Sequence, residues 1–523
     1  MNDLVSTIDW SRAQFALTAM YHWLFVPLTI GLSLIVAIME TIYVRSGDEK
    51  WKRLTRFWMT IFGINFACGV ATGIILEFEF GTNWSNYSWF VGDIFGAPLA
   101  IEGLFAFFLE ATFVAVMFFG WNRVSKRFHL TATWLTAIGV CLSALWILVA
   151  NAWMQNPVGM EFNPDQMRNV MTDFWGLAFN AVSMNKFFHA VFSSWALAGS
   201  FVIGISGWMI WRNRNIEAAR MSLKIGTWVG LVGMLLTMWT GDGSAIQVAK
   251  VQPMKLAAME GLYEGKPGTD LIAVGLVNVR EDRHEEADEA SMAIKLPKGL
   301  SLLAKHDPNA FVPGINNLLD GYEVTANGDT VYVGDSYEKR IEMGRTAHEA
   351  LKTYEQAKKD NNQAVADSAL SVMNENYKYF GYGFLQKPED AIPPIALTFY
   401  SFRVMVGLGC FMLAVYLLTL WVLYKRKNKE FKLNKWICFI MMIGLPAAWV
   451  CSQAGWIVAE VGRQPWTIQD ILPVNAAISD ISSAGVQTTF WLFAVLFTLM
   501  LIAEVSILLR YINKATSKDI LKG

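Results

Sequence analysis

The sequence is poor in the residues that hold metals and disulfides. Its 523 residues include only five Cys and six His. The cysteines are Cys68, Cys141, Cys410, Cys438 and Cys451, and they form no CxxC pair. A disulfide framework, a zinc site and an iron–sulfur site are therefore not indicated, and we interpret the cysteines as small core residues. Charged residues are also scarce, at 17% with a net charge of −1, which argues against nucleic acid as a partner.

Apolar and aromatic residues dominate instead, at 54% and 14% of the chain, with 22 Trp and 34 Phe. This composition is typical of a polytopic membrane protein. Runs of about 20 apolar residues predict an all-α polytopic fold with about nine transmembrane helices. The predicted spans are 15–44, 55–78, 94–120, 131–151, 187–211, 222–242, 394–424, 434–456 and 487–511.

The connecting loops alternate in charge. Basic residues concentrate in loops 45–56, 121–130, 212–224 and 425–435 and in the tail 510–523, whereas loop 79–93 has no Lys or Arg and loop 461–486 has only Arg463. By the positive-inside rule, the basic loops and the C-terminus are expected in the cytoplasm and the N-terminus outside. No cleavable signal peptide is expected, because the N-terminal stretch lacks a basic segment followed by a short apolar run.

One connection is far longer than a plain loop. We therefore predict three parts: helices 1–6 in residues 1–242, a large outer-face segment in 243–393, and helices 7–9 with a cytoplasmic tail in 394–523. Within the outer segment, 338–360 and 362–379 look helical, and 279–290 is charge-dense and expected to be solvated. The Gly69–Gly73 pair forms a GxxxG pattern, which indicates close helix packing.

A few ionisable residues lie in or next to these apolar stretches, namely His22, His189, Glu102, Glu110 and Glu460. Such a residue inside a membrane helix costs ~2.5–3.5 kcal/mol on insertion scales, so it usually has a function. His22, His189, Glu102 and Glu460, together with Met405, are expected in the outer half of the membrane, which favours a buried redox or ion site. Glu110 is expected deeper, toward the cytoplasmic side. Taken singly, each also has a structural interpretation: a hydrogen-bonded histidine, a packing methionine or an ion-paired acid such as Glu460 with Arg463.

Glu102 and Glu110 are eight residues apart, which is ~12 Å along a helix. This spacing suits successive stations of a proton relay better than a shared metal site. Other polar residues receive structural interpretations. We expect Glu77 and Glu79 at the interface, and Glu40 and Glu504 are structural or unexplained. Asn151 and Asp242 are expected as helix caps or as part of a polar path, and His129, His284, His306 and His348 in solvent.

Five segments carry a family resemblance. They are Phe15-Ala-Leu-Thr-Ala-Met-Tyr-His22, Phe80-Gly-Thr-Asn-Trp84, Gly96-Ala-Pro-Leu-Ala-Ile-Glu102, Trp153-Met-Gln-Asn-Pro157 and Gly455-Trp-Ile-Val-Ala-Glu460-Val-Gly-Arg-Gln-Pro-Trp466. Over nearly its full length the chain resembles subunit I of the cytochrome bd-type quinol oxidases. The resemblance implies a protein of the bacterial cytoplasmic (inner) membrane that oxidises membrane quinol at the outer face and reduces O2 to water without pumping protons. It further implies a second polytopic subunit and a small single-span one.

The resemblance also implies cofactors and their ligands. They are a low-spin haem b, a high-spin haem b, and a third haem that is either haem d or a further haem b. His189 and Met405 match the axial ligands of the low-spin haem, and His22 and Glu460 match ligands of the two high-spin haems. Arg463 and Trp456 lie in the same block as Glu460 and are expected at the cofactor site.

The remaining matches concern protons and quinol. Glu102 matches an acid at the high-spin pair, Glu110 a residue of the proton route, and Arg403 an arginine beside the low-spin haem. Lys255 and Glu260 match positions implicated in quinol oxidation, in a quinol-binding loop of the long form. From the residues alone, Lys255 and Glu260 could equally be solvated, and they would not touch each other on a regular helix.

Three other classes of membrane protein are alternatives. A haem–copper oxidase needs more intramembrane histidines than this chain has, and a cytochrome b of the quinol:cytochrome c type needs paired histidines within two helices. A transporter or non-catalytic structural subunit would explain buried acids, but not the ordered His, Met and Glu residues or the block at 455–466.

Overall fold

The computed structural model describes residues 2–277, 291–326, 329–425 and 433–522. The predicted solvated stretch 279–290, with His284, lies outside these residues. Most of the basic loop 425–435 does too.

Helices, most of them long, form the body of the molecule. They are α1 (Asn2–Ser46), α2 (Glu49–Thr82), α3 (Ser85–Val91), α4 (Asp93–Ile101), α5 (Phe108–Phe119), α6 (Lys126–Gln155), α7 (Phe174–Ala178), α8 (Ala181–Trp211) and α9 (Ile216–Val251). After the outer segment follow α15 (Ile395–Lys425), α16 (Lys435–Glu460), α17 (Val474–Ala477) and α18 (Ser483–Ser517). Within the described residues, nine helical stretches are long and apolar enough to span a membrane, so the predicted number is confirmed.

The third span is not one continuous α-helix. A π-helical stretch, Glu102–Phe107, joins α4 to α5, and Pro98 lies inside α4. Proline removes a helical N–H and disturbs the preceding turn, and π-bulges occur frequently at functional sites. The irregularity begins at Glu102, one of the predicted site residues.

The segment between α9 and α15 is a mixed, largely helical cap. Its helices are α10 (Pro253–Glu260), α11 (Gly299–Lys305), α12 (Ile315–Asp320), α13 (Tyr337–Lys359) and α14 (Gln363–Asn376), followed by 3₁₀ turns at Tyr377–Phe384 and Pro388–Ala391. The two helices predicted at 338–360 and 362–379 are thus present as α13 and α14. Helix α9 continues nine residues beyond its predicted end at 242, so Asp242 lies inside the helix rather than at a cap.

The β-structure is limited to short antiparallel pairs. They are β1 (Met160–Asn163) with β2 (Arg168–Met171), β3 (Lys266–Pro267) with β6 (Phe311–Val312), β4 (Leu271–Leu276) with β5 (Ser291–Leu296), β7 (Tyr322–Ala326) with β8 (Asp329–Gly334), and β9 (Trp466–Ile468) with β10 (Leu472–Pro473). The predicted fold class, a polytopic helical membrane protein, is therefore confirmed.

Two packing features position the site. Helices α1 and α2 approach closely at the predicted GxxxG pattern, where a Cβ at Gly69 would lie 3.5 Å from the Cβ of Phe25. The cap is tied to the 455–466 block, because Trp466 packs against Tyr382 with ring centroids 4.8 Å apart. The cap and the C-terminal end of α16 therefore share one core.

Candidate functional site

His22 in α1 faces helix α2. Its Nδ1 lies 3.0 Å from the hydroxyl oxygen of Thr72, and a Cβ added at Gly73 would lie 3.0 Å from its Cε1. The imidazole therefore fills the space that glycine leaves on α2. This contact explains the second glycine of the GxxxG pattern.

His189 in α8 faces a threonine and a glycine of helix α9, as His22 does on α2. Its Nδ1 lies 3.0 Å from the hydroxyl oxygen of Thr240, and a Cβ at Gly241 would lie 3.6 Å from its Cε1. A Thr-Gly pair on the neighbouring helix thus supports each imidazole. The sequence contains both pairs, but only the fold shows that each faces a histidine.

The threonine hydroxyls assign the tautomer of both histidines. Thr72 Oγ1 donates to the carbonyl of Cys68 or Gly69, and Thr240 Oγ1 donates to the carbonyl of Leu236 or Thr237. Because a hydroxyl has one proton, each threonine accepts from the histidine Nδ1–H. The Nε2 lone pair is then available, as a metal-binding imidazole requires.

Met405 on α15 faces α16. A Cβ at Gly455 would lie 3.0 Å from its sulfur, so the absence of a side chain at Gly455 makes room for the thioether. Gly455 is five residues before Glu460, which is ~7.5 Å along the helix. Met405 therefore lies deeper in the helical body than Glu460 does.

Helix α16 also gives the relative depth of His22. The side chain of Gln453 donates to the carbonyl of Met20 at 2.9 Å, and Trp23 donates to Ser452 at 2.9 Å. His22 is thus level with residues 452–453, about two helical turns deeper than Glu460. The candidate ligands are staggered in depth rather than coplanar.

Glu460 is held by donors on both of its oxygens. Arg463 contacts Oε2 at 2.8 Å, and the amides of Asn151 and Gln155 donate to Oε1 at 3.0 and 3.4 Å. Asn151 therefore binds the acid instead of capping a helix. Each carboxylate oxygen has two lone pairs, so Oε2 retains one for a further partner such as iron.

A second cation near Glu460 was missed by sequence reasoning. Lys186, three residues before His189, donates to Asn151 Oδ1 at 3.2 Å. Lys255 joins the group from the cap, since its Nζ donates to the carbonyl of Ala459 at 2.9 Å. Lys186 lies one residue before the predicted fifth span, 187–211, but inside helix α8 (Ala181–Trp211), so the sequence contained only a weak signal for this role.

The cap helix α10 contributes two buried ionisable residues. Lys255 and Glu260 are 5% and 2% exposed, so their interpretation as solvated residues is wrong. Lys255 points to α16, whereas Glu260 Oε2 lies 2.6 Å from Arg403 on α15. As expected for a regular helix, Lys255 and Glu260 do not contact each other.

Arg403 is fixed tightly between α15 and the cap. It donates to Glu260 and to the carbonyls of Met259 and Ile272, and its guanidinium lies 3.7 Å from the ring centre of Phe399. Burial raises the pKa of Glu260 to about 7, against the lowering effect of Arg403. Burial also lowers the pKa of Lys255 to about 8. Both groups can therefore exchange protons near neutral pH.

The two acids of the third span lie against α6. Glu102, at the start of the π-helical stretch, accepts from the hydroxyl of Ser143 at 2.7 Å. Glu110 packs on Gly139, where a Cβ would lie 2.9 Å from its Cγ. Its Oε1 is buried without a hydrogen-bond partner. The remaining candidate, Trp456, is half-buried on α16 one turn before Glu460.

Several expectations about other polar residues need correction. Glu79 is 2% exposed rather than interfacial, because Gln14 and Thr18 of α1 hydrogen-bond its carboxylate. His129 is 2% exposed and paired with Glu40, since the first turn of α6 packs on α1.

The two other described histidines differ in their exposure to solvent. His348 packs between the rings of Phe380 and Phe384 instead of lying in solvent, whereas His306 is exposed as expected.

Over the part of the chain that the structure describes, no group of three or more His, Cys, Asp or Glu side chains could hold a bare metal ion. Haem iron differs, because the porphyrin supplies most of its ligands and the protein only the axial ones. His22 and His189, each with a free Nε2, and the unhindered sulfur of Met405 fit that requirement.

Comparison with known proteins identifies the family. The model of the family described as cytochrome bd terminal oxidase subunit I matches residues 10–516. The chain belongs to the cytochrome bd terminal oxidase subunit I family. The predicted family and enzyme class, a terminal oxidase, are thereby confirmed.

Named relatives agree with this assignment. The chain is 42% identical over 505 residues to cytochrome bd-II ubiquinol oxidase subunit 1 of Escherichia coli (strain K12), covering 96% of each sequence. It is 33% identical over 518 residues to cytochrome bd ubiquinol oxidase subunit 1 of Bacillus subtilis (strain 168), covering 98% of this chain and 95% of the relative. The fold is similar to the structure of bd oxidase from Geobacillus thermodenitrificans, with a TM-score of 0.76 and 25% identity, over 98% and 100% of the two chains.

Proposed function

We propose that this chain is the haem-binding subunit of a quinol:O2 oxidoreductase in the bacterial cytoplasmic membrane. It oxidises quinol at the outer face and takes the protons for oxygen reduction from the cytoplasm, which separates charge without a pump. The observation that carries the proposal is the matching support of His22 and His189, which leaves both imidazoles with a free Nε2 inside the membrane body. When bound, the haems supply the electron transfer from quinol to O2.

The haem ligands are assigned as follows. His189 and Met405 would hold the low-spin haem b, since an imidazole and a thioether are ligands suited to a haem that transfers electrons. His22 would hold one high-spin haem and Glu460 the other, with Arg463 and Trp456 at the cofactor site. The third haem is haem d or a further haem b. Thr72 and Thr240 keep the two imidazoles in the ligating tautomer.

Quinol is oxidised beneath the cap, and residues 243–393 form the quinol-binding segment. Glu260 is the base that receives a quinol proton, because its pKa of about 7 lets it accept a proton near neutral pH. Arg403 orients the Glu260 carboxylate through their 2.6 Å contact and lies at the start of the span that carries Met405. Lys255, on the opposite side of α10, links this segment to the Glu460 end of α16.

Protons for oxygen reduction pass through Glu110 and then Glu102. Both acids lie against α6, and the unpartnered Oε1 of Glu110 is free to accept a proton or a water. The orientation follows the basic loops, with the N-terminus outside and the C-terminus in the cytoplasm. A second polytopic subunit and a small single-span subunit complete the enzyme.

The assembled complex tests this proposal. Its reduced-minus-oxidised spectrum is expected to show haem bands, with a long-wavelength chlorin band if the third haem is d. Quinol-dependent O2 consumption by the same sample is expected. A purified complex without haem bands would exclude an oxidase and favour the transporter or structural alternative.

A further inference from the structure

A buried acid–histidine pair lies at the opposite end of the membrane body from Glu460. Glu40 of α1 and His129 of α6 are 1% and 2% exposed, and Glu40 Oε1 lies 2.6 Å from His129 Nδ1. The hydroxyl of Thr133, one turn further along α6, donates to the other carboxylate oxygen at 2.6 Å. The proposed function gives this pair no role.

The pair lies just beneath the basic loops. His129 Nε2 meets the carbonyl of Met117 at 3.1 Å, and the ring of Trp121 lies 4.1 Å from the imidazole, centre to centre. Tyr43 extends this aromatic cover, 6.4 Å from Trp121. The charged groups over the two rings are Lys52 and Arg56 of α2 and Lys126 of α6, between 5.0 and 6.0 Å from the ring centres. Aromatic rings and basic side chains therefore cover the pair.

A polar stripe on α6 leads from the pair toward the two acids of the third span. His129, Thr133, Thr136, Gly139 and Ser143 follow one another at intervals of three or four residues, so they share one face of the helix. Thr133 and Thr136 are 1% and 0% exposed.

Three acids from neighbouring segments contact this stripe. Glu40 binds Thr133, Glu110 packs on Gly139, and Glu102 binds Ser143. From Thr133 to Gly139 the helix rises ~9 Å, with Thr136 between them, a gap that two or three waters can bridge.

Glu110 supplies an independent observation. Its Oε1 is buried without a partner although the group lies on this stripe. A buried carboxylate oxygen needs a donor, either a water or its own proton. A proton relay that runs along the stripe from the pair would supply Glu110 with such a water or proton.

We propose that Glu40 and His129 form the site at which protons enter this subunit from the cytoplasm on their way to Glu110. The pair takes one proton from the aqueous phase and passes one to the Glu110 carboxylate, so charge is carried inward without electron transfer or any other bond change. This inference rests on the proposed function, in which the basic loops face the cytoplasm.

The test uses the assembled complex with Glu40→Gln and His129→Gln. Glu40→Gln preserves the shape of the side chain, and His129→Gln keeps a hydrogen-bonding amide in place of the ring. Both substitutions remove the ionisable group. We expect at least a fivefold lower quinol oxidase turnover with an unchanged haem spectrum. The loss is expected to grow as the cytoplasmic pH rises, because proton supply then limits the rate, and electrometric proton uptake in vesicles is expected to slow in parallel.

A matched control lies next to the pair. Trp134 Nε1 donates to the hydroxyl of Thr41 at 3.0 Å, so Trp134→Phe breaks a bond between the same two helices without removing an ionisable group. It is expected to keep normal turnover and pH dependence. If Trp134→Phe lowers turnover as Glu40→Gln does, the pair is a structural link and the inference is wrong.

Other outcomes are equally decisive. Normal turnover and proton uptake in both pair variants across pH would overturn the entry site, and so would failure of both variants to assemble, since that makes the pair structural. A wild-type complex without haem or oxidase activity would instead contradict the proposed function. The two failures are therefore distinguishable.

Discussion

His189 and Thr240 are joined by a 3.0 Å hydrogen bond in which the imidazole Nδ1 donates and the hydroxyl accepts. The hydroxyl proton is already used by a backbone carbonyl one turn earlier on α9. The same relationship joins His22 to Thr72 on a different pair of helices. Two imidazoles that we propose as haem ligands are thus each held in one tautomer by a threonine of a neighbouring helix.

Replacing either threonine by valine keeps its size and removes the acceptor. Thr240→Val is expected to weaken retention of the low-spin haem by about tenfold, the lower end of the range for lost outer-shell partners of a metal site. Thr72→Val is expected to act on a high-spin haem instead. Haem content and reduced-minus-oxidised spectra measure both effects. If either variant altered both haem types equally, the pairing of each threonine with one haem would be wrong.

The two glycines of the GxxxG pattern provide a matched pair. Gly73→Ala places a Cβ 3.0 Å from His22 Cε1, whereas Gly69→Ala meets only an ordinary contact of 3.5 Å. Both changes improve helix propensity by ~1 kcal/mol, so their difference isolates the contact with His22. We expect Gly73→Ala to perturb or lose a high-spin haem signal and Gly69→Ala to preserve the spectrum. Identical spectra for the two variants would contradict this assignment.

Met405 is predicted to be a ligand, and Met412 on the same helix serves as its control. Met405→Leu is expected to abolish the low-spin spectrum, because leucine has no lone pair to donate. Met412 is 4% exposed in the core, where a swap to leucine normally costs less than about 1.5 kcal/mol. Met412→Leu is therefore expected to keep all haem signals. An unchanged low-spin spectrum in Met405→Leu removes the assignment.

Glu260 predicts a specific pH dependence. A base must be deprotonated to accept a proton, and the pKa of Glu260 is raised by burial to about 7. The value of kcat/KM for quinol is therefore expected to fall about tenfold for each pH unit below 7 and to level off above it. Glu260→Gln is expected to be slow and to lack this acidic limb. The exposed Glu264 provides a control, since Glu264→Gln should retain the wild-type profile.

Glu110→Gln is expected to slow turnover by ~10²-fold while haem content persists, since a relay residue that cannot release a proton blocks proton delivery. Oxygen consumption and the haem spectrum of the same preparation measure the two quantities. Glu504 on α18 is also a buried acid, 4% exposed, and Glu504→Gln should remain active. Full activity in Glu110→Gln would rule out an essential relay there.

The sequence by itself determined the membrane architecture. Span number follows from hydrophobic run length, because a helix that satisfies its own backbone needs about 20 apolar residues to cross a bilayer. The helices α13 and α14 were also predictable from local pattern. The residues His22, His189, Glu102, Glu110 and Glu460 stood out because an ionisable group is expensive in an apolar run. Their division among haems came from resemblance, not from spacing.

Only the tertiary structure decided which residues face one another. Thr72 and Thr240 look like ordinary helical threonines until a neighbouring helix places an imidazole beside each. Glu79 was expected at the membrane interface and His129 in solvent, because both lie near span ends. The fold buries both by packing α1 against α2 and α6. The hydropathy of a segment indicates the free-energy cost of burying a polar side chain there. Hydrogen-bond partners from distant segments determine whether that cost is compensated and what the group can do.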